Sequence, residues 1–231
     1  MKQDKLYKPS NLVINRDFIP TRLLSESAQE IGYEAWRHRL TTRSDYEIKN
    51  MFNPGSLKTI EKFQKNIARK IGRFVSVIAF QSNEPIGYAW AADDVGNLTP
   101  AQQRAKTLAL KARGRKPYAW IAQINVLPDY QGEGIGSAML FEVLKPFSND
   151  QKPTAYVFDE NQPTLSWFRS LDFYARPEKP TDPNDQANGP DLYFGLAADH
   201  VLQWRLEAES VDSVRKNLGK IVLPNYVVRE A

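Results

Sequence analysis

The sequence predicts an α/β protein of the α+β kind: a mixed sheet flanked by helices, with a helical insertion and a C-terminal extension. Three observations carry this expectation. Phe74–Phe80 (FVSVIAF) and Ile86–Ala91 (IGYAWA) are apolar, β-rich runs joined by the turn Ser82-Asn83-Glu84-Pro85, which reads as an antiparallel hairpin. Tyr118–Val126 (YAWIAQINV) is a third such run. It leads through Leu127-Pro128-Asp129-Tyr130 into a glycine-rich corner, Gln131-Gly132-Glu133-Gly134-Ile135-Gly136-Ser137. A helical pattern follows, with Ile135, Met139, Leu140, Val143, Leu144 and Phe147 on one face.

Taken in order, residues 1–10 read as a loose tail and Leu12-Val13-Ile14 as a short strand. Asp17-Phe18-Ile19-Pro20 is a turn. Thr21 to about Arg39 is helical, with Leu23, Leu24, Ala28, Ile31, Ala35 and Trp36 near helical spacing. A second helical piece spans Ser44 to Phe52 and stops at Asn53-Pro54-Gly55. Ser56 caps a third, striped by Leu57, Ile60, Phe63, Ile67 and Ile71. After the hairpin, the insertion of about residues 93–117 holds a helix with Thr99 as N-cap, Pro100 at its first position and Gln102 completing a capping box. Ala101, Ala105, Leu108, Ala109 and Ala112 would line its docked face, and Gly114 closes it. Beyond the corner helix, Thr154–Phe158 is a strand and Asn161 caps a helix from Gln162 to Leu171. Phe173–Arg176 is a strand, Pro177–Pro190 a proline-rich loop and Leu192-Tyr193-Phe194 the last strand of the domain. Asp199–Leu218 reads as one helix, and Ile221–Val228 as a strand-like end. The organisation expected is a domain over 10–195 and a helical extension over 196–231. That extension is read as a local buttress, with a homodimerisation arm as the alternative.

Composition narrows the chemistry. The chain of 231 residues is 42% apolar and 25% charged, which supports a real core. It has no cysteine, so disulfides, thiolate metal sites and a Cys-acyl intermediate are out. Its two histidines, His38 and His200, are too few for a histidine metal cluster, so no metal is expected. No G-x-S-x-G elbow is present. No apolar run approaches the roughly 18 residues that span a bilayer, and MKQDKLYKPS lacks a signal-peptide core, so no membrane partner and a cytoplasmic location are expected. Net charge is +4, yet residues 101–120 hold six Lys or Arg and no acid. That cluster (Arg104, Lys106, Lys111, Arg113, Arg115, Lys116) reads as a solvated face, or as a basic lid for an anionic ligand. Nucleic acid is disfavoured as a partner, because no binding motif for it is visible.

The glycine corner is a phosphate cradle: tight turns from glycine, then free N–H groups and a positive dipole at a helix start. A Walker loop would need Lys and Ser/Thr after the last glycine, where Ser137-Ala138 stands. A dinucleotide fingerprint starting at Gly132 would need glycine at 137, which is Ser137. The pattern that fits is Q/R-x-x-G-x-G/A, at Gln131, Gly134 and Gly136, with Val126 and Pro128 upstream.

In this the chain resembles the GNAT superfamily of acetyl-CoA-dependent N-acetyltransferases. A second stretch, Asn161 followed by Trp167-Phe168-Arg169-Ser170-Leu171-Asp172-Phe173, resembles the family's N-x(6)-Y-x-x-x-G-F. Asn161 and Phe173 match; Phe168 stands for the tyrosine and Asp172 for the glycine. The resemblance implies a mixed, mostly antiparallel, splayed sheet, with Tyr118–Val126 as central fourth strand and the coenzyme's arm in the splay. It implies coenzyme contacts at Ile124, Val126, Gln131, Gly132, Glu133, Gly134, Ile135, Gly136, Ser137, Asn161 and Phe168. It also implies the backbone N–H of Val126 as donor to the thioester oxygen.

The function expected is acetyl transfer from acetyl-CoA, the co-substrate, to a primary amine on a small molecule or peptide by direct attack. Gln123 and Asn125 cannot act as bases. Asp159 and Glu160 are the nearest carboxylates by family topology, with Tyr174 and Tyr130 as further candidates for proton transfer. Phe168 cannot take the acid role that the family's tyrosine commonly plays. The alternative function is a non-catalytic acyl-CoA-binding sensor or partner module.

Overall fold

The described β-branched and aromatic runs join a single sheet. A computed structural model describes residues 12–16, 22–40, 44–45, 73–93, 118–177 and 203–230, with Ala101, Ala105, Leu108–Leu110 and Ala112–Gly114 of the insertion. The strands are β1 (Leu12–Arg16), β2 (Phe74–Gln81), β3 (Glu84–Asp93), β4 (Ala119–Val126), β5 (Pro153–Phe158), β6 (Tyr174–Pro177), β7 (Gln203–Glu207) and β8 (Tyr226–Glu230). The helices described in full are α1 (Arg22–Arg39), α2 (Ile135–Leu144), α3 (Gln162–Ser170) and α4 (Val211–Leu218). The sheet order is β6-β7-β5-β4-β3-β2-β1-β8. Pairing is parallel only for β4–β5 and β1–β8 and antiparallel elsewhere. This is the mixed, mostly antiparallel sheet expected. The second and third helical pieces before the hairpin, Leu192–Phe194 and the loop before it lie outside the described residues.

The hairpin turns on Ser82 and Asn83, with φ of 52° and 69°. Two consecutive positive φ values are those of a type I′ turn, whose twist matches that of the strands. Glu84 and Pro85 therefore already belong to β3 rather than to the turn.

Each face of the sheet is covered. On one side, α2, α3 and α4 bury Met139, Leu140, Val143, Leu144, Leu165, Val214 and Leu218 against Val77, Ala89, Ile121 and Ala155. Full burial of one such aliphatic side chain is worth about 1.5–3 kcal/mol. On the other side, Ile31 of α1 packs on Ile78, Tyr88, Trp90 and Trp120.

Two expectations are corrected. Asp199–Leu218 is not one helix: Gln203–Glu207 is strand β7, paired with both β5 and β6, and the helix begins only after the N-cap Ser210. Leu202, Trp204 and Leu206 recur every second residue, and that period prevails once β5 offers a free edge. The last strand, β8, then returns to the opposite edge beside β1. The C-terminal segment thus supplies one helix and two strands of the same sheet. In the insertion, the described positions up to Ala112 are helical, Arg113 and Gly114 form a turn and Gly114 has φ +63°, but the stripe is not docked: Ala101, Ala105, Ala109 and Ala112 are exposed and Leu108 is 65% exposed. A stripe of alanines offers little apolar area with which to hold a helix down.

Asp172, which replaces the family's glycine, has φ +65°. Asp tolerates the left-handed region better than most residues. Here Asn217 of α4 also holds it, donating to the Asp172 carboxylate and to Leu171 O at 3.4 Å. The glycine is replaced, but its backbone conformation is kept.

Candidate active site

The central parallel pair β4–β5 is short. Only Ala119, Trp120 and Ile121 face Pro153, Thr154 and Ala155; beyond them the strands part. The cause is visible in the register between β3 and β4. Trp90 lies opposite Gln123 and Ala91 opposite Ile121, so Ala122 is an extra, bulged residue. A bulge bends and twists its strand, and here it occurs where β4 leaves β5.

The parted strands open into a cleft of about 730 Å³. Backbone groups face it by a simple rule. Hydrogen-bonded and open pairs alternate along an antiparallel ladder. Leu127 N–H donates to Ile86 O at 2.9 Å, so Val126, opposite Gly87, is in an open pair and turns its N–H and C=O away from β3. Ile124, opposite Ala89, does the same. The Val126 carbonyl accordingly accepts from Gln131 Nε2 at 2.8 Å.

At the cleft's mouth stands the glycine corner. Gly132 and Gly134 have φ of +81° and +79°, and Gly134 is the N-cap of α2, with no side-chain cap. The first N–H groups of α2 are thus left for a ligand. Ile124, Val126, Gln131 to Ser137, Asn161 and Phe168 all line this one cleft. Asn161 caps α3, its side chain accepting from Thr164 N. Phe168 is 3% exposed and lies against Trp167 and Phe173, ring centroids 4.8 Å away in both cases.

The proton-transfer candidates are not brought together there. Asp159, Glu160 and Tyr174 are not among the lining residues. Asp159 instead accepts from Trp204 Nε1 at 2.5 Å, and Tyr174 is 39% exposed. Of the candidates named from sequence, only Tyr130 lines the cleft; Tyr156 of β5 joins it. The half-buried Gln123 and the buried Asn125 accept from ring groups of neighbouring elements. Gln123 accepts from Tyr88 OH at 2.7 Å and Trp90 Nε1 at 3.4 Å, and Asn125 accepts from Trp36 Nε1 at 3.0 Å. Burial pushes the Tyr88 phenol up from its ordinary value.

Sequence reasoning did not single out Trp36, Arg39, Tyr156, Thr164, Trp167, Ile221 and Val222, all of which line the cleft. One signal was available for α1: Arg39 is four residues after Ala35 and three after Trp36, hence on their face. The exposed His38 between them obscured it. For Ile221 and Val222 there was none. They approach from the C-terminal segment, where Pro224 Cδ and Val222 O would lie 3.1 and 3.3 Å from a Cβ at Gly134.

Two parallel strands parted over a glycine corner are the architecture of an acyltransferase that uses coenzyme A thioesters. The chain belongs to the acetyltransferase (GNAT) family, whose sequence profile matches residues 34–173. Its fold is similar to that of the PaiA N-acetyltransferase of Thermoplasma acidophilum, solved in complex with coenzyme A. The TM-score is 0.53 and the identity 14%, over 85% of this chain and 98% of that one. The ribosomal-protein-S18-alanine N-acetyltransferase of Escherichia coli aligns with a TM-score of 0.45 and 14% identity, over 85% of this chain and 92% of its own. No helix among the described residues is long and apolar enough to cross a membrane.

Proposed function

We propose that the chain moves an acetyl group from acetyl-CoA to a primary amine by direct attack. The observation that carries this is the gap beyond Ile121 and Ala155, bordered by main-chain groups of Ile124 and Val126 that turn away from β3 and closed at its mouth by the uncapped start of α2. Acetyl-CoA supplies the activated acyl group as a thioester. Gly134, Gly136 and the first turn of α2 would hold its phosphates, while Ile124, Val126 and Asn161 would hold its arm.

The Val126 N–H is the donor offered to the thioester oxygen. A donor aimed at the charge that develops there is worth about 10²–10³ in rate. The acceptor nitrogen bonds to the acyl carbon, the carbon–sulfur bond breaks, and sulfur leaves as a thiolate. The proton shed by the nitrogen passes to water. Trp36, Tyr156 and Phe158 form an aromatic wall on the α1 side of the gap, with the Trp36 and Phe158 rings edge-to-face at 5.4 Å. Such a wall holds an acceptor in place, and positioning supplies a large share of the barrier reduction.

The test is release of free thiol from acetyl-CoA across a library of amines: α-amines of peptides, lysine, polyamines, amino acids and aminoglycosides. At least one should give acceptor-dependent release. Tight coenzyme binding with no release from any of them would favour the sensor reading, for which Phe168 in place of tyrosine is the supporting observation. Phe168→Tyr separates the two further. In an enzyme limited partly by thiolate departure, turnover rises, toward the roughly 10²–10⁴ that a positioned acid contributes; in a sensor, neither form turns over.

A further inference from the structure

Arg39 carries a positive charge to the cleft wall, and among the described residues no acid forms an ion pair with it. It stands on the last turn of α1, beside Ala35 and Trp36, which line the cleft with it. Its Nε and Nη2 donate to Gln131 Oε1 at 3.3 and 3.2 Å, and its Nη1 donates to Thr164 Oγ1. Both acceptors are uncharged. Among the described residues, Arg39 makes no ion pair, and burial alone draws its pKa below the usual guanidinium value.

The two acceptors lie on opposite banks. Gln131 follows β4 and Thr164 follows β5, so the guanidinium spans the mouth of the gap where the glycine corner and the start of α3 converge. A charge drawn out of water and given only neutral partners is costly. The cost is offset if an anion completes the site, and the planar fork of arginine suits phosphate oxygens better than any other side chain. The sequence offers a matching vacancy. The first position of the Q/R-x-x-G-x-G/A pattern, where arginine is the alternative, is the neutral Gln131, and the cation hydrogen-bonded to it comes from α1.

We propose that Arg39 is a binding residue for the diphosphate of the coenzyme, supplied by α1 across the gap. This rests on reading the cleft as a coenzyme A site. Arg39 reaches both elements at once, through Gln131 beside the glycine corner and Thr164 at the start of α3.

The test is the affinity of the full chain for coenzyme A and 3′-dephospho-coenzyme A, by calorimetry, at low and high salt, for the parent, Arg39→Gln and Arg39→Lys. Circular dichroism checks that each is folded. Losing a charge-assisted hydrogen bond predicts a weakening of about 10- to 100-fold in Arg39→Gln at low salt. The loss should be the same for both ligands, since both keep the diphosphate. It should shrink as salt rises, and Arg39→Lys should recover part of it. Unchanged coenzyme affinity in Arg39→Gln overturns the proposal, also if acceptor affinity falls in its place. A loss independent of salt, equal in the Gln and Lys variants, overturns it too, because Arg39 would then be a strut between the banks. A loss seen with coenzyme A and absent with the dephospho form would move the contact to the 3′-phosphate and overturn it. Failure of the underlying reading is distinct: the parent itself would bind neither ligand.

Discussion

Replacing Glu142 by Ala is expected to cost about 3–5 kcal/mol of folding stability at neutral pH, the usual loss when one partner of a buried ion pair is removed. Glu142 sits on α2 with its side chain 0% exposed. Arg16 of β1 donates to its carboxylate, as do Lys145 Nζ at 2.7 Å and Tyr226 OH of β8 at 2.9 Å. Without it, the Arg16 charge, its side chain 15% exposed, and the half-buried Tyr226 hydroxyl each lose this acceptor. Lys145, 34% exposed, can turn to water and adds little. Urea denaturation of parent and variant measures the difference; a gap under about 1 kcal/mol would mean that the cluster behaves like a surface pair.

The same residue gives a pH signature. Burial alone would raise its pKa, but the hydrogen bonds from Lys145, Arg16 and Tyr226 outweigh this and hold the carboxyl below its ordinary value. A carboxylate depressed in the folded state stabilises fully above its unfolded pKa, about 4.3. That contribution is lost as pH falls through the folded value. Acid titration of stability should therefore narrow the gap between parent and Glu142→Ala below about pH 4. A gap that stays constant to pH 2 would assign the loss to packing instead.

Local patterns made the centre of the fold legible, and non-local pairing hid its edges. The hairpin, the strand leading to Val126 and the glycine corner each carry their signal within a dozen residues, and all are where the pattern put them. Strand β7 was masked because Val201, Leu202, Trp204 and Leu206 fit a helical stripe as well as an alternating one; only the presence of β5 decides between them. Nothing in Tyr226–Glu230 says that its parallel partner is β1, some two hundred residues earlier, or that Glu142 must be buried to receive Arg16 and Tyr226. The cleft follows the same division. One of its walls, Ile124–Val126 with Tyr130–Ser137, comes from a single short run of the chain and was legible as a motif. Its other walls are assembled from α1, β5, α3 and the segment at Ile221–Val222, so Arg39, Tyr156 and Trp167 gave no joint signal. Asp159 was a candidate because family topology places it near the splay; its carboxylate is instead spent on the indole of Trp204, a partner contributed by the unforeseen strand β7.

Gly136→Val should leave a folded protein that no longer gains thermal stability from coenzyme A. A Cβ built at Gly136 meets only Ile124 Cγ2 and Val126 Cγ2, each at 3.8 Å, which is ordinary contact. The free protein therefore has room for the first carbon, and Gly136 itself lines the cleft, so the added bulk falls at its wall. Gly134 is the poorer probe. Its φ of +79° disfavours any side chain, and a Cβ there would crowd Pro224 Cδ and Val222 O at 3.1 and 3.3 Å. Gly134→Val thus loses about 1–2 kcal/mol to the left-handed backbone alone, before any ligand is considered. Stabilisation by a ligand at a hundred times its dissociation constant is about 2.7 kcal/mol. For the parent this is a clear rise in melting temperature; for Gly136→Val it should vanish while the unliganded melting temperature stays close to that of the parent. Gly136→Ala, which the G/A alternative in the motif allows, should keep most of the rise. These three variants separate damage to the fold from damage to the cradle, since only the former lowers the unliganded melting temperature. An undiminished coenzyme-induced rise in folded Gly136→Val would remove the phosphates from the start of α2 and with them the reading of the corner as a cradle.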